Sequence, residues 1–112
     1  MKLKLLIAAL ILGVAIPASA DFKTIVQGYE VALSDLRLPR AESGTIAFKE
    51  CSTCRYHTKR VDGGTRWMIN GESVSLKEFR LAVSRVTERA EEAVTVLHHL
   101  EDNRVTEVSV YL

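Results

Sequence analysis

The chain has 112 residues, 47% of them hydrophobic, with 15 basic against 14 acidic side chains. Near balance of charge lacks the clear basic excess of a general polyanion-binding surface. The length allows one small domain with a modest core, in which an added covalent staple would help.

Residues 1–20 read as a cleaved signal peptide: Met1-Lys2-Leu3-Lys4 is a basic start, Leu5 to Ile16 an apolar run, and Pro17 precedes the small residues Ala18-Ser19-Ala20. The run is well short of the roughly 20 apolar residues a membrane-spanning helix needs, so no stable membrane insertion is expected after cleavage. The presequence holds two lysines and no acid; without it 13 basic face 14 acidic side chains, a formal charge of −1. Export places residues 21–112 in the periplasm or outside a bacterial cell, where cysteines oxidise.

Asp21 to Leu38 carries mixed periodicity. Tyr29, Val31 and Leu33, then Leu36 and Leu38, alternate as a strand with one slip between them, so the pattern predicts a strand from about Tyr29 to Leu38 after a loose segment. Pro39 to Gly44 reads as a loop. Thr45 to Lys49 is a strand with Ile46 and Phe48 on one face. Tyr56 to Val61 is its partner, Tyr56, Thr58 and Arg60 alternating with His57, Lys59 and Val61, and Cys51-Ser52-Thr53-Cys54 forms the connection of this hairpin. Asp62-Gly63-Gly64 turns the chain into Thr65 to Ile69, with Trp67 and Ile69 on one face.

Asn70-Gly71 turns the chain again. Ser75 followed by Glu78 is a capping box, and Leu76, Phe79, Val83, Val86 and Ala90 form one apolar stripe, predicting a helix from Leu76 to about Ala90. Ala93 to Leu100 and Val105 to Leu112 form a last hairpin joined by Glu101-Asp102-Asn103-Arg104. The fold class is therefore α+β and β-rich, a single domain over 21–112 with five to six strands and one helix before the last hairpin. That element order is the order of the OB-fold, a small, partly open barrel.

Thr65-Arg66-Trp67-Met68-Ile69-Asn70-Gly71-Glu72-Ser73-Val74-Ser75-Leu76-Lys77-Glu78-Phe79, with Val94-Thr95-Val96 and Val105-Thr106-Glu107-Val108-Ser109-Val110, resembles the strand, Asn-Gly turn, helix entry and closing hairpin of small, mostly uncharacterised secreted bacterial OB-like domains. The resemblance covers Thr65 to Leu112 and implies the fold more than any activity. The long helix and the Cys-x-x-Cys hairpin depart from it.

Cys51 and Cys54 are the only cysteines, spaced so that a β-turn can bring their Cα atoms within disulfide range. In an exported protein the pair reads as a loop staple. A redox role needs a thiolate of lowered pKa; Lys49 and Arg55 are near, but no helix N-terminus is. A zinc or monovalent copper site would take Cys51 and Cys54 with His57 and one of His98 and His99, which as successive strand residues point to opposite faces. No nucleophile elbow, phosphate loop or zincin motif is present, and no carboxylate pair has informative spacing, so no catalytic residue and no required cofactor is expected. Arg55, Tyr56, His57, Arg66 and Trp67 form the candidate binding surface, for an envelope protein or a small ligand; export and negative charge weigh against nucleic acid, and Trp67 has a core reading beside the surface one.

Overall fold

The computed structural model describes residues 25–112; the signal peptide expected over residues 1–20 lies outside the described residues. Eight strands and one helix follow in the order β1 Val26–Ala32, β2 Leu36–Arg37, β3 Gly44–Phe48, β4 His57–Val61, β5 Arg66–Ile69, β6 Glu72–Val74, α1 Leu76–Ser84, β7 Ala93–His99 and β8 Arg104–Val110. The hydrogen-bonded path runs β1-β7-β8-β4-β3-β2, and β5 leaves it to pair with β6 and β8. The fold is thus α+β and β-rich. The ends of the path, β1 and β2, are not laddered to each other, so the sheet is open; they are successive stretches of chain joined by the 3-10 turn Leu33–Asp35.

The break between β1 and β2 coincides with the slip in the apolar alternation. Tyr29 and Val31 face the core from β1, Leu33 enters it from the turn, and Leu36 resumes from β2. The turn lets one segment serve two partners: β1 pairs antiparallel with all of β7, and β2 pairs with β3. The strand begins at Val26, earlier than the expected Tyr29, because β7 supplies partners as far as His99. This division, together with β6, raises the expected five or six strands to eight. β6 forms because Asn70 (φ 51°) and Gly71 (φ 84°) take the positive φ that a two-residue hairpin turn requires, folding Glu72–Val74 back on β5.

Alternation puts Val94 and Val96 of β7 and Val105, Val108 and Val110 of β8 inside, each at most 1% exposed. Between Leu97 and His98 the register shifts, so that Leu97 faces Glu107 while His98 faces Val105. The irregularity keeps both His98 and Val105 inward, whereas an unbroken alternation would have turned one of them out.

Helix α1 lays Leu76, Phe79 and Val83 on the core, with the Phe79 ring 5.2 Å from that of Trp67. Its start follows the capping box: Ser75 Oγ accepts from Glu78 N at 3.1 Å. It ends at Ser84, short of the expected Ala90. Arg85 N and Val86 N donate to the carbonyls three residues back, and the Arg89 guanidinium donates to Val83 O at 2.7 Å. Beyond it, the carbonyls of Arg89 and Glu92 accept from Ser34 N and Leu33 N of the 3-10 turn. That distant demand on the 89–92 backbone replaces the last turns the apolar stripe predicts.

Candidate functional site

The β3–β4 ladder ends at the pair Phe48 and His57, and the chain between them forms a loop beyond the core. Within it Cys54 N donates to Cys51 O at 3.1 Å, a tight turn that brings the two Cα atoms to 5.0 Å, and the two sulfurs are joined in a disulfide. Such a bond calls for an oxidising environment. Lys49 ties the loop down from one side: its Nζ donates to Ser52 O at 3.2 Å and lies 3.8 Å from Asp35 Oδ1, while its backbone N donates to Asp35 O.

Tyr56, the last residue of the loop, and His57, the first of β4, diverge. His57 turns toward the core rim, with its ring 5.7 Å from Phe48 and 5.8 Å from Tyr29, themselves 4.9 Å apart, and its Nε2 is 3.4 Å from Glu50 Oε2. Tyr56 turns outward and stays 39% exposed. The Arg37 guanidinium lies over its ring at 4.2 Å, and Lys49 Nζ at 5.0 Å. Arg37 reaches this place because β2 pairs with β3 and β3 with β4, which sets Leu36, Phe48 and His57 in one row and Arg37, Ala47 and Thr58 in the next.

The structure brings together Arg55, Tyr56 and His57 from the expected surface, beside Cys51 and Cys54, and separates Arg66 and Trp67 from them. Trp67 is 4% exposed under α1, which corrects its surface reading in favour of the core one. Arg66 is exposed on β5, a strand that pairs with β6 and β8 and not β4, and its guanidinium is held by Glu107 Oε1 at 2.8 Å. Arg37 is the residue that sequence reasoning missed. Its signal was a cation between the alternating Leu36 and Leu38, which gains meaning only once the register is known.

The metal set does not assemble. Both sulfurs are spent on each other, His57 meets Glu50, and no group of three His, Cys, Asp or Glu side chains that could hold an ion occurs among the described residues. His98 is 4% exposed, with Nε2 3.0 Å from Asn103 Oδ1 and Nδ1 buried without a partner. His99 points the other way, its Nδ1 accepting from Asp102 N at 3.3 Å. These two histidines therefore hold the β7–β8 turn. No helix among the described residues is long and apolar enough to cross a membrane. No family model, curated protein or solved structure matches the chain.

Proposed function

We propose that this chain is an exported binding module, periplasmic or secreted, with an OB-like architecture and a structural Cys51–Cys54 disulfide that holds its binding surface. The observation that carries the reading is the exposed Tyr56 ring bracketed by Arg37 and Lys49 beside the stapled loop. Solvent-exposed aromatics with charge fixed around them are what a recognition surface offers, whereas a merely solvated strand face has no use for this ordering. The presequence pattern of residues 1–20 and the disulfide both favour export. The bent first segment, which serves β7 with one half and β3 with the other, and the parallel pairing of β5 with β8 across the helix connection, support the OB-like reading. The partner is an envelope protein or a small ligand, and binding involves no catalysis.

Two measurements test this. Intact mass of protein from its native compartment should correspond to a chain starting at Asp21 and lacking two hydrogens; reduced thiols or a retained presequence would contradict it. A photo-crosslinking amino acid placed at Tyr56 in living cells should yield a discrete adduct. The same probe at Leu81, exposed on α1, should yield none. Equal labelling from the two positions, or none from Tyr56, would sink the binding surface.

A further inference from the structure

The outer face of β2, β3 and β4 carries a pattern of charge that identifies a partner class. Arg37, Thr45, Tyr56, Thr58 and Arg60 are all exposed on it, and Arg55, next to Tyr56 in the chain, is exposed as well. Among the described residues neither Arg37 nor Arg60 makes an ion pair; of the lysines and arginines there, Lys49, Arg66 and Arg104 do. The nearby acids are otherwise engaged: Asp35 faces Lys49, Glu50 faces His57, and Asp102 faces His99 and Arg104 while giving Arg60 only its backbone carbonyl, at 3.0 Å. Two unneutralised guanidinium groups, Arg37 and Arg60, thus share one face of a protein whose formal charge is close to zero.

Tyr56 decides between kinds of anion. A single-stranded nucleic acid or a sugar chain uses an aromatic side chain by stacking a flat ring on its face. Here Arg37 lies over the ring at 4.2 Å and Lys49 at 5.0 Å, so the ring serves as a support for the cations. A guanidinium anchored over a ring still has N–H edges to offer, and such an edge can grip a carboxylate with two parallel bonds. Cation–π contact fixes it without cancelling its charge. The floor between Tyr56 and Arg60 is made of the small side chains Ala47, Thr45 and Thr58, set in register by the β3–β4 ladder. Apart from Tyr56, the large exposed hydrophobics lie off these three strands, so the face has nothing to insert into a bilayer.

From Tyr56 to Arg60 is four residues of strand, about 13 Å at the usual rise of 3.3 Å per residue. An extended peptide presents side chains on one side every second residue, so carboxylates four residues apart span the same distance. We infer that this face docks an extended acidic segment of a partner protein, with one carboxylate gripped by Arg37 beside Tyr56 and another by Arg60. The inference rests on the binding reading above and names the chemistry of its partner.

The test uses the oxidised protein freed of its presequence and a fluorescein-labelled peptide carrying glutamates four residues apart. Fluorescence anisotropy should show binding that weakens as salt rises and disappears with the glutamine counterpart. Arg37→Ala and Arg60→Ala should each weaken it roughly fivefold to tenfold, while Arg85→Ala just past the end of α1 should leave it unchanged. Melting curves of these exposed-site variants should match the parent, which separates lost contact from lost fold. Equal affinity for the glutamine peptide, indifference to Arg37→Ala and Arg60→Ala, or binding of a single-stranded oligonucleotide or anionic vesicle in place of the peptide would overturn it. A persistent Tyr56 adduct in cells with no peptide binding overturns the acidic partner alone; loss of both removes the binding surface as well.

Discussion

The β7–β8 and β3–β4 hairpins are both antiparallel ladders closed by short loops, yet they are held in different ways. In β7–β8 the inward valines are fully buried, and the turn is locked from within by His98 on Asn103, which sits at φ 50°. Arg104, at the turn end, adds an ion pair at 3.1 Å to Asp62 of the turn between β4 and β5. In β3–β4 the ladder stops at Phe48 and His57, and the chain beyond them has no core to press against. There a disulfide and Lys49 impose the order that burial does not supply. Where a turn lies over packed side chains, non-covalent contacts define it; where it runs past the core, a covalent ring restricts it and leaves its side chains exposed.

The sharpest way to break the packed side is Phe79→Ala. Phe79 is fully buried against Trp67, and its removal should cost about 3 to 5 kcal/mol, lowering the melting temperature by roughly 12 °C or more. A smaller loss would mean that α1 can collapse onto the vacancy. Next, Asn103→Ala should cost about 1 to 3 kcal/mol, because it deprives buried His98 of its partner and strains a positive φ. Asn103→Gly should recover the backbone part only, and chemical denaturation of the two variants side by side checks the division.

On the other hairpin, replacing Cys51 and Cys54 together by serine should destabilise by at most about 2 kcal/mol, since a ring of four residues removes little entropy from the unfolded chain. Hydrogen exchange should quicken around the loop and leave the β7–β8 amides as they were; slowed or unchanged exchange at the loop would remove the contrast between the hairpins. Ser75→Ala tests the start of α1 and should cost about 1 kcal/mol by differential scanning calorimetry, through loss of the cap to Glu78. Smallest of all, Tyr56→Ala should change stability by less than about 1 kcal/mol, because the ring is exposed and its cation contacts are weak. Its larger effect is expected on the binding proposed above.

Much of the fold was legible because its signals are local. The inward Ile46 and Phe48 of β3 follow from simple alternation, the Asn70-Gly71 turn from the φ values these residues tolerate, and the α1 start from the Ser75 cap. The candidate surface was half legible. Arg55, Tyr56 and His57 are neighbours in the chain and stay neighbours in space, but Trp67 is drawn inside by α1, and Arg66 is taken by Glu107. Arg37 was invisible as part of this surface, since its place on Tyr56 needs two successive strand pairings to be in register.

By itself the amino-acid sequence determined the β-rich class, the run of turns, the cap of the helix and the closeness of Cys51 to Cys54, all of which depend on residues within about four positions of one another. The tertiary structure alone decided that α1 stops at Ser84, that the first strand breaks to serve two neighbours, that His98 meets Asn103 at the β7–β8 turn, and that Arg37 lies over the Tyr56 ring. The reason is the same in most of these cases. A backbone carbonyl or an exposed ring accepts whichever donor or cation the fold delivers; for α1 and the first strand the deliverer stands more than 50 residues away along the chain, and for Tyr56 the nearer cation, Arg37, stands 19 away.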